Sequence, residues 1–191
     1  MEKSGKRYDI IKAALELIAE QGFHGTSMYM IAEKAGVGAG TIYRYFESKD
    51  DLINQLRHEL YDSIMVSILE SYPEGRPIRE RFIHIGATVI RYFISHPIHF
   101  RFVEQYHHSP YGVSFRRDKL LCKSDKNDIV KDLFEQGVEQ QVLKDLPLIA
   151  QFAMFFGPLF SIVRDHILGF VLLNDALIIK IIEACWDGLK R

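Results

Sequence analysis

Residues 27–49 read SMYMIAEKAGVGAGTIYRYFESK, and this stretch decides the fold. Ile31, Ala32, Val37, Ile42 and Phe46 are spaced to point inward from two short helices, with Gly36, Gly38 and Gly40 punctuating the connection. Thr26 or Ser27 supplies a hydroxyl cap for the first helix, which reaches Lys34 and is closed by Gly36. The second lies around Gly38–Tyr45. Two helices joined by a tight glycine turn form a helix-turn-helix.

The outward set is then Tyr29, Ala39, Gly40, Thr41, Tyr43, Arg44, Tyr45 and Lys49, with Ser27 at the head of the first helix. Small residues at 38–40 let backbone approach a duplex closely, and a helix start offers free N–H groups to phosphate. Thr41, Tyr43 and Tyr45 carry hydroxyl donors for phosphate oxygens, Lys49 adds a point charge, and Arg44 suits a guanine edge or the backbone. Lys3, Lys6 and Arg7 form a short basic arm upstream. A three-helix corner of some other all-α protein would need Ile31, Ile42 and Phe46, but not this exposed row.

Outward from the motif the pattern stays helical. Ile10, Ile11, Ala14, Leu15, Leu17 and Ile18 make one apolar stripe that stops at Gly22. Ser48, with Asp51 three residues on, opens a helix running to Tyr72-Pro73. Further runs are separated at Pro97, at Ser109-Pro110-Tyr111-Gly112 and at Pro147, and a last helix spans about Asp175 to Leu189. No run shows period-two alternation with β-branched residues, so the fold class is all-α, with about nine helices.

The stretches KRYDIIKAALELIAEQGFHGTS and IAEKAGVGAGTIYRYFESKDDLI resemble the TetR family of bacterial transcriptional regulators over roughly the first 56 residues. The family's usual pattern has Ser or Thr where this chain has Gly38, so one capping hydroxyl is missing. The resemblance implies a DNA-binding domain over residues 1–50 and an effector-binding and dimerisation domain over 51–191. It implies a homodimer on a pseudo-palindromic operator of double-stranded DNA, released when a small-molecule effector tilts the helix that begins at Ser48. An activator or a protein-interaction module of the same fold is the alternative, with an α-helical enzyme using the His cluster as the remaining one. The implied dimer is a four-helix bundle of the last two helices, pointing to Phe156, Phe160, Ile167, Phe170, Ile178, Ile182 and Trp186; burial within one subunit would use the same composition. The implied pocket, between about 60 and 171, points to Met65, Ile83, Ala87, Phe102, Phe134, Phe155 and Phe156, and an aromatic inventory of this kind favours an apolar effector.

Composition limits the other classes. The chain has 191 residues, 24 Lys+Arg against 25 Asp+Glu and 48% hydrophobic content, which excludes disorder and a bulk polycation. Residues 1–49 carry seven basic and six acidic side chains, so a DNA reader in this region relies on placement rather than excess charge. Cys122 and Cys185 are too few and too far apart for a disulfide framework, which with the absence of a signal-peptide pattern predicts a cytoplasmic protein. Leu146–Val163 is uncharged, but Pro147 and Gly157-Pro158 predict a broken, buried or interfacial helix pair rather than a membrane span. His84, His96, His99, His107 and His108 lack the neighbouring ligands of a metal site, and no nucleophile–base spacing or phosphate loop marks an enzyme, so no catalytic residue, metal or cofactor is expected. Arg116-Arg117 is a candidate partner for an acidic effector group or a solvated helix start.

Overall fold

A computed structural model of the chain describes residues 2–121 and 128–191, with side-chain surroundings for 5–117 and 128–191. The Lys3 side chain and Cys122 lie outside the described residues. Ten helices, rather than about nine, make up the described chain: α1 Glu2–Gly25, α2 Met28–Lys34, α3 Ala39–Ile42, α4 Lys49–Leu69, α5 Ile78–Ser95, α6 Pro97–His107, α7 Pro110–Leu121, α8 Ile129–Glu139, α9 Leu148–Ile167 and α10 Asp175–Leu189. The described residues form no strand, only an isolated bridge between Leu143 and Lys190.

The chain packs as two units, residues 1–63 with 96–114, and residues 64–95 with 115–191. These differ from a division at residue 50, because the N-terminal unit also takes in α6 and most of α4. Its core is the α1 stripe, with Ile10, Ala14 and Ile18 completely buried, together with Ile31, Ile42, Phe46, Leu52 and Ile53. At Gly22 (φ 73°, ψ 176°) the backbone of α1 leaves helical geometry, the stop its glycine predicts, and a last short turn carries Phe23 into the core. Ser48 caps α4 by accepting the Asp51 N–H (3.1 Å), while the Asp51 carboxylate accepts the Glu47 N–H (3.0 Å). These two bonds, one to each side of the cap, fix where the rod begins.

In the other unit α5 packs against α8, α9 and α10. Phe82 is its centre, with ring centroids 4.4 Å from Phe155, 5.3 Å from Trp186 and 6.2 Å from Phe134. Gly86 lets α5 approach α10, since a Cβ there would sit 3.1 Å from Ile182. α9 is one helix through Pro158, not a broken pair. Pro158 and Met154, whose carbonyl the proline leaves without its N–H, both lie on the exposed side, where water can satisfy that carbonyl and the ring clash can relax outward. By length and composition α9 could cross a membrane; 22% of its most apolar stretch is buried in the protomer.

The α6–α7 corner is a close approach that requires glycine. A Cβ on Gly112 would lie 2.1 Å from the Tyr106 carbonyl oxygen, a backbone atom that cannot rotate away. Gly112→Ala should therefore force the helices apart and cost on the order of 2 kcal/mol or more, read as a lowered thermal midpoint by circular dichroism.

Candidate nucleic-acid interface

The helix-turn-helix is built by local hydrogen bonds that the sequence encodes. Ser27 Oγ accepts the Met30 N–H at 3.2 Å and so starts α2. At its other end Gly36 adopts φ +66°, which lets Val37 N–H reach the Ala32 carbonyl (2.9 Å) and Gly36 N–H reach that of Glu33 (3.1 Å). This paired closure is a Schellman motif, and it needs the left-handed residue that glycine supplies. Gly38 then heads α3 with an extended backbone and no side-chain cap. The α-helical part of α3 is four residues long, shorter than 38–45. Residues 44 and 45 continue it through i to i−3 bonds to Thr41 and Ile42 (both 3.1 Å), because Phe46 must turn into the core.

Ile31, Ala32, Ile42 and Phe46 are buried as the spacing predicts, while Val37 is half-buried. Of the outward set, Tyr29 (67% exposed), Tyr43 (57%), Ala39, Gly40 and Arg44 face solvent, and Thr41 and Tyr45 are half-exposed. The side chains of Tyr29, Thr41, Tyr43, Arg44 and Tyr45 make no hydrogen bond or ion pair with other described residues. Gly40 has no atom within 4 Å of where a Cβ would stand, so internal packing does not require a glycine there.

Two predicted cationic contacts are redirected into the fold. Lys49 Nζ donates to the Phe23 carbonyl and ties the start of α4 to the end of α1. Arg7 pairs with Glu59, donates to Gln55 Oε1 at 2.8 Å, and lies over the Phe46 ring at 5.6 Å. Since α1 already begins at Glu2, residues 3–7 are a helical turn rather than a free arm. In both cases the interior gains a charge-assisted bond that local sequence does not reveal.

Sequence reasoning also missed the residues that hold the motif's neighbours. The Phe23 ring packs against Phe102, Tyr106 and Tyr111, with centroids 5.9, 6.3 and 5.5 Å away. The Tyr111 hydroxyl donates to Asp50 in the first turn of α4. Desolvation, with the Asp50 hydrogen bond and charge adding to it, pushes the Tyr111 phenol up to about 12, so it stays a donor across the physiological range. Phe102 is thus core of the N-terminal unit and not a lining residue of the other.

The remaining candidates divide sharply. Ala87, Phe134 and Phe155 are core side chains, 3%, 0% and 0% exposed, whereas Met65, Ile83 and Phe156 are half-buried. Ile178, Ile182 and Trp186 are buried within the protomer, because α10 turns its apolar stripe onto α5 and α9. Phe160 and Ile167 are half-buried, and Phe170 is 79% exposed. His96 and His99 stack with centroids 5.0 Å apart, His84 Nε2 binds the Ile68 carbonyl at 2.8 Å, and His108 binds the Glu104 carbonyl at 2.8 Å. Among the described residues no three metal-ligating side chains converge. Arg116 and Arg117 are exposed on α7, and burial pushes the Cys185 thiol up.

An all-helical chain with an exposed, internally unpartnered row on a helix-turn-helix defines a DNA-binding transcriptional regulator. Residues 10–56 match the family described as "Bacterial regulatory proteins, tetR family", and residues 77–190 match "Tetracyclin repressor-like, C-terminal domain". The chain belongs to the TetR family. It is 26% identical over 183 residues to an uncharacterized HTH-type transcriptional regulator of Haemophilus influenzae, spanning 95% of this chain and 94% of that one. A TetR-family regulator from Marinobacter aquaeolei superimposes with a TM-score of 0.85 at 23% identity, over 99% of this chain and 97% of that chain. FadR from Bacillus subtilis, solved in complex with stearoyl-CoA, superimposes with a TM-score of 0.71 at 20% identity, over 94% and 95% of the two chains.

Gly40→Val separates folding from recognition. The thermal midpoint should stay within about 2 °C, since valine is no poorer a helix former than glycine. Affinity for DNA selected by the wild-type protein from a random pool should fall at least about tenfold, from the bulk now placed between α3 and the duplex. Lys49→Ala, in contrast, should lower the thermal midpoint as well as DNA affinity.

Proposed function

We propose that this regulator is a homodimeric repressor that binds a pseudo-palindromic operator and is released by a small effector in the C-terminal region, with residues 1–50 reading DNA and 51–191 serving dimerisation and effector binding. The observation that carries the reading is the exposed row Tyr29, Ala39, Gly40, Thr41, Tyr43 and Arg44, whose polar groups are left for an outside partner. Ser27 and Tyr45 flank it. Lys49 contributes its charge to the field at the interface while its amino group holds α4 in place. The protein works in the cytoplasm, where its DNA is, and performs no catalysis.

Dimerisation is supported by α9, an apolar helix left largely uncovered by its own subunit. Its exposed side carries Ile149 (52% exposed), Met154 (40%), Ala153, Gly157 and Ser161, which are small or flexible enough for a second helix to approach closely. This moves the proposed interface off Ile178, Ile182 and Trp186 and onto the outer side of α9, with Phe156, Phe160 and Ile167 at its margin and Phe170 on the following loop. Two weakly charged readers gain operator affinity by acting as one bivalent ligand.

The effector reading is supported by an aromatic interior and by half-buried Met65, Ile83 and Phe156, where small side-chain movements can open space. The stearoyl-CoA bound by the Bacillus subtilis protein is an example on this fold of a ligand that joins a long apolar chain to a charged head. Repression is relieved when the effector binds one conformation more tightly than the other, by that difference in binding free energy.

Two measurements test the proposal. Gly157→Glu, at a position with open space around a Cβ, should leave the subunit folded but convert a dimer to a monomer in sedimentation and weaken operator binding at least about tenfold. A variant that remains dimeric with full affinity places the interface elsewhere. Arg44→Ala should change sequence preference in selected DNA; a uniform loss over all sequences, with a shallower salt dependence, assigns Arg44 to phosphate instead.

A further inference from the structure

Two buried polar groups in the C-terminal unit, the Tyr72 hydroxyl and the Arg81 Nε, lie against each other and have no other partner. Arg81, on α5, is half-buried, and its Nη2 donates to Gln136 Oε1 on α8 at 3.0 Å, which holds the guanidinium in place. Its Nε is buried and has no further partner, and neither does the buried hydroxyl of Tyr72 in the α4–α5 turn. Burial pushes the Tyr72 phenol up and Glu74 and Asp132 push it further, while Arg81 lies close enough to draw it down through its charge and through a side-chain contact with the phenol oxygen. The Tyr72 ring is held edge-on to His84, centroids 5.7 Å apart, and His84 is itself anchored on the Ile68 carbonyl at 2.8 Å.

A direct bond between Tyr72 and Arg81 does not settle this account. If Arg81 donated to the phenol oxygen, the phenol's own proton and the guanidinium's charge would still lack an acceptor. Among the described residues Arg81 has no carboxylate oxygen within ion-pair distance, although a half-buried cation strongly favours one. What both donors lack is an anion.

We infer that Arg81 and Tyr72, with Gln136 holding the guanidinium, form a receptor for a single oxyanion, the head group of an effector whose remaining body is apolar. Two donors of different geometry, a fork and a hydroxyl, match the two oxygens of a carboxylate. The negative charges of Glu74 and Asp132 nearby disfavour a dianion, so a carboxylate fits better than a phosphate. The same two helices, α5 and α8, also contribute Phe82 and Phe134, whose rings meet with centroids 6.2 Å apart in the aromatic interior. The ligand class is therefore an amphipathic organic acid. Anion binding at Arg81 stands by itself, while its effect at DNA rests on the effector reading given above.

The test measures thermal stabilisation of the full chain by sodium acetate, sodium decanoate, inorganic phosphate and decanol at constant ionic strength, with decanoate kept below its micellar concentration. Decanoate should stabilise the wild-type protein most, acetate more than phosphate at equal concentration, and decanol least. Arg81→Gln should weaken decanoate binding at least about thirtyfold, Tyr72→Phe about fivefold, and Arg81→Lys should retain part of the response. No anion-specific stabilisation, or one that survives in Arg81→Gln, overturns the inference; phosphate ahead of acetate overturns the assignment to a carboxylate. If decanoate binds through Arg81 yet leaves the affinity for selected DNA unchanged, the receptor stands and the effector reading falls.

Discussion

The left-handed backbone at Gly22 is the constraint on which the N-terminal unit depends. It ends the regular part of α1 and turns Phe23 inward, where one ring meets three aromatics of the α6–α7 corner. The Phe23 carbonyl, in the last turn of α1, receives Lys49, and Tyr111 reaches across to Asp50. One residue thus ties α1, the first turn of α4 and the α6–α7 corner together, and α2 and α3 are enclosed between the first two in sequence. The position of the recognition segment follows from this packing together with its own buried Ile31, Ile42 and Phe46.

That packing redistributes charge. Arg7, Lys34 and Lys49 are engaged with Glu59, Glu16 and the Phe23 carbonyl, which leaves Arg44 as the exposed, unpaired cation of the recognition segment. A region of net +1 that commits three of its seven cations to its own fold has few left for counterion release, and offers hydroxyl groups and close backbone approach instead. Gly40 in open space and the unpartnered Tyr29 and Tyr43 are consistent with that economy.

The C-terminal unit faces the opposite difficulty, an excess of apolar surface. α5 resolves part of it by carrying Phe82 into contact with Phe134, Phe155 and Trp186, and Gly86 allows α10 to close over it. α10 spends its apolar stripe on this core, so α9 is left with the uncovered side. Against so much buried hydrocarbon, the unpaired donors at Tyr72 and Arg81 stand out, because an interior this apolar penalises each of them.

What the sequence determined by itself is whatever depends on neighbours within one or two helical turns. The α1 stripe, the Ser27 cap, the closure at Gly36, the Ser48–Asp51 cap, the breaks at Pro97, Pro110 and Pro147, and α10 over Asp175–Leu189 were legible because periodicity and capping act over three or four residues. Apart from Lys49, the exposed or half-exposed positions of the recognition segment were legible for the same reason. The tertiary structure alone decided which cations remain free, which aromatics are core and which helix keeps an apolar side uncovered. Lys49 pairs with a carbonyl 26 residues away and Arg7 with a carboxylate 52 residues away, and Phe102 joins the N-terminal core although α6 lies far along the chain. The energy that settles such choices comes from partners brought together by folding, and composition and local spacing leave it undetermined because many pairings satisfy them equally.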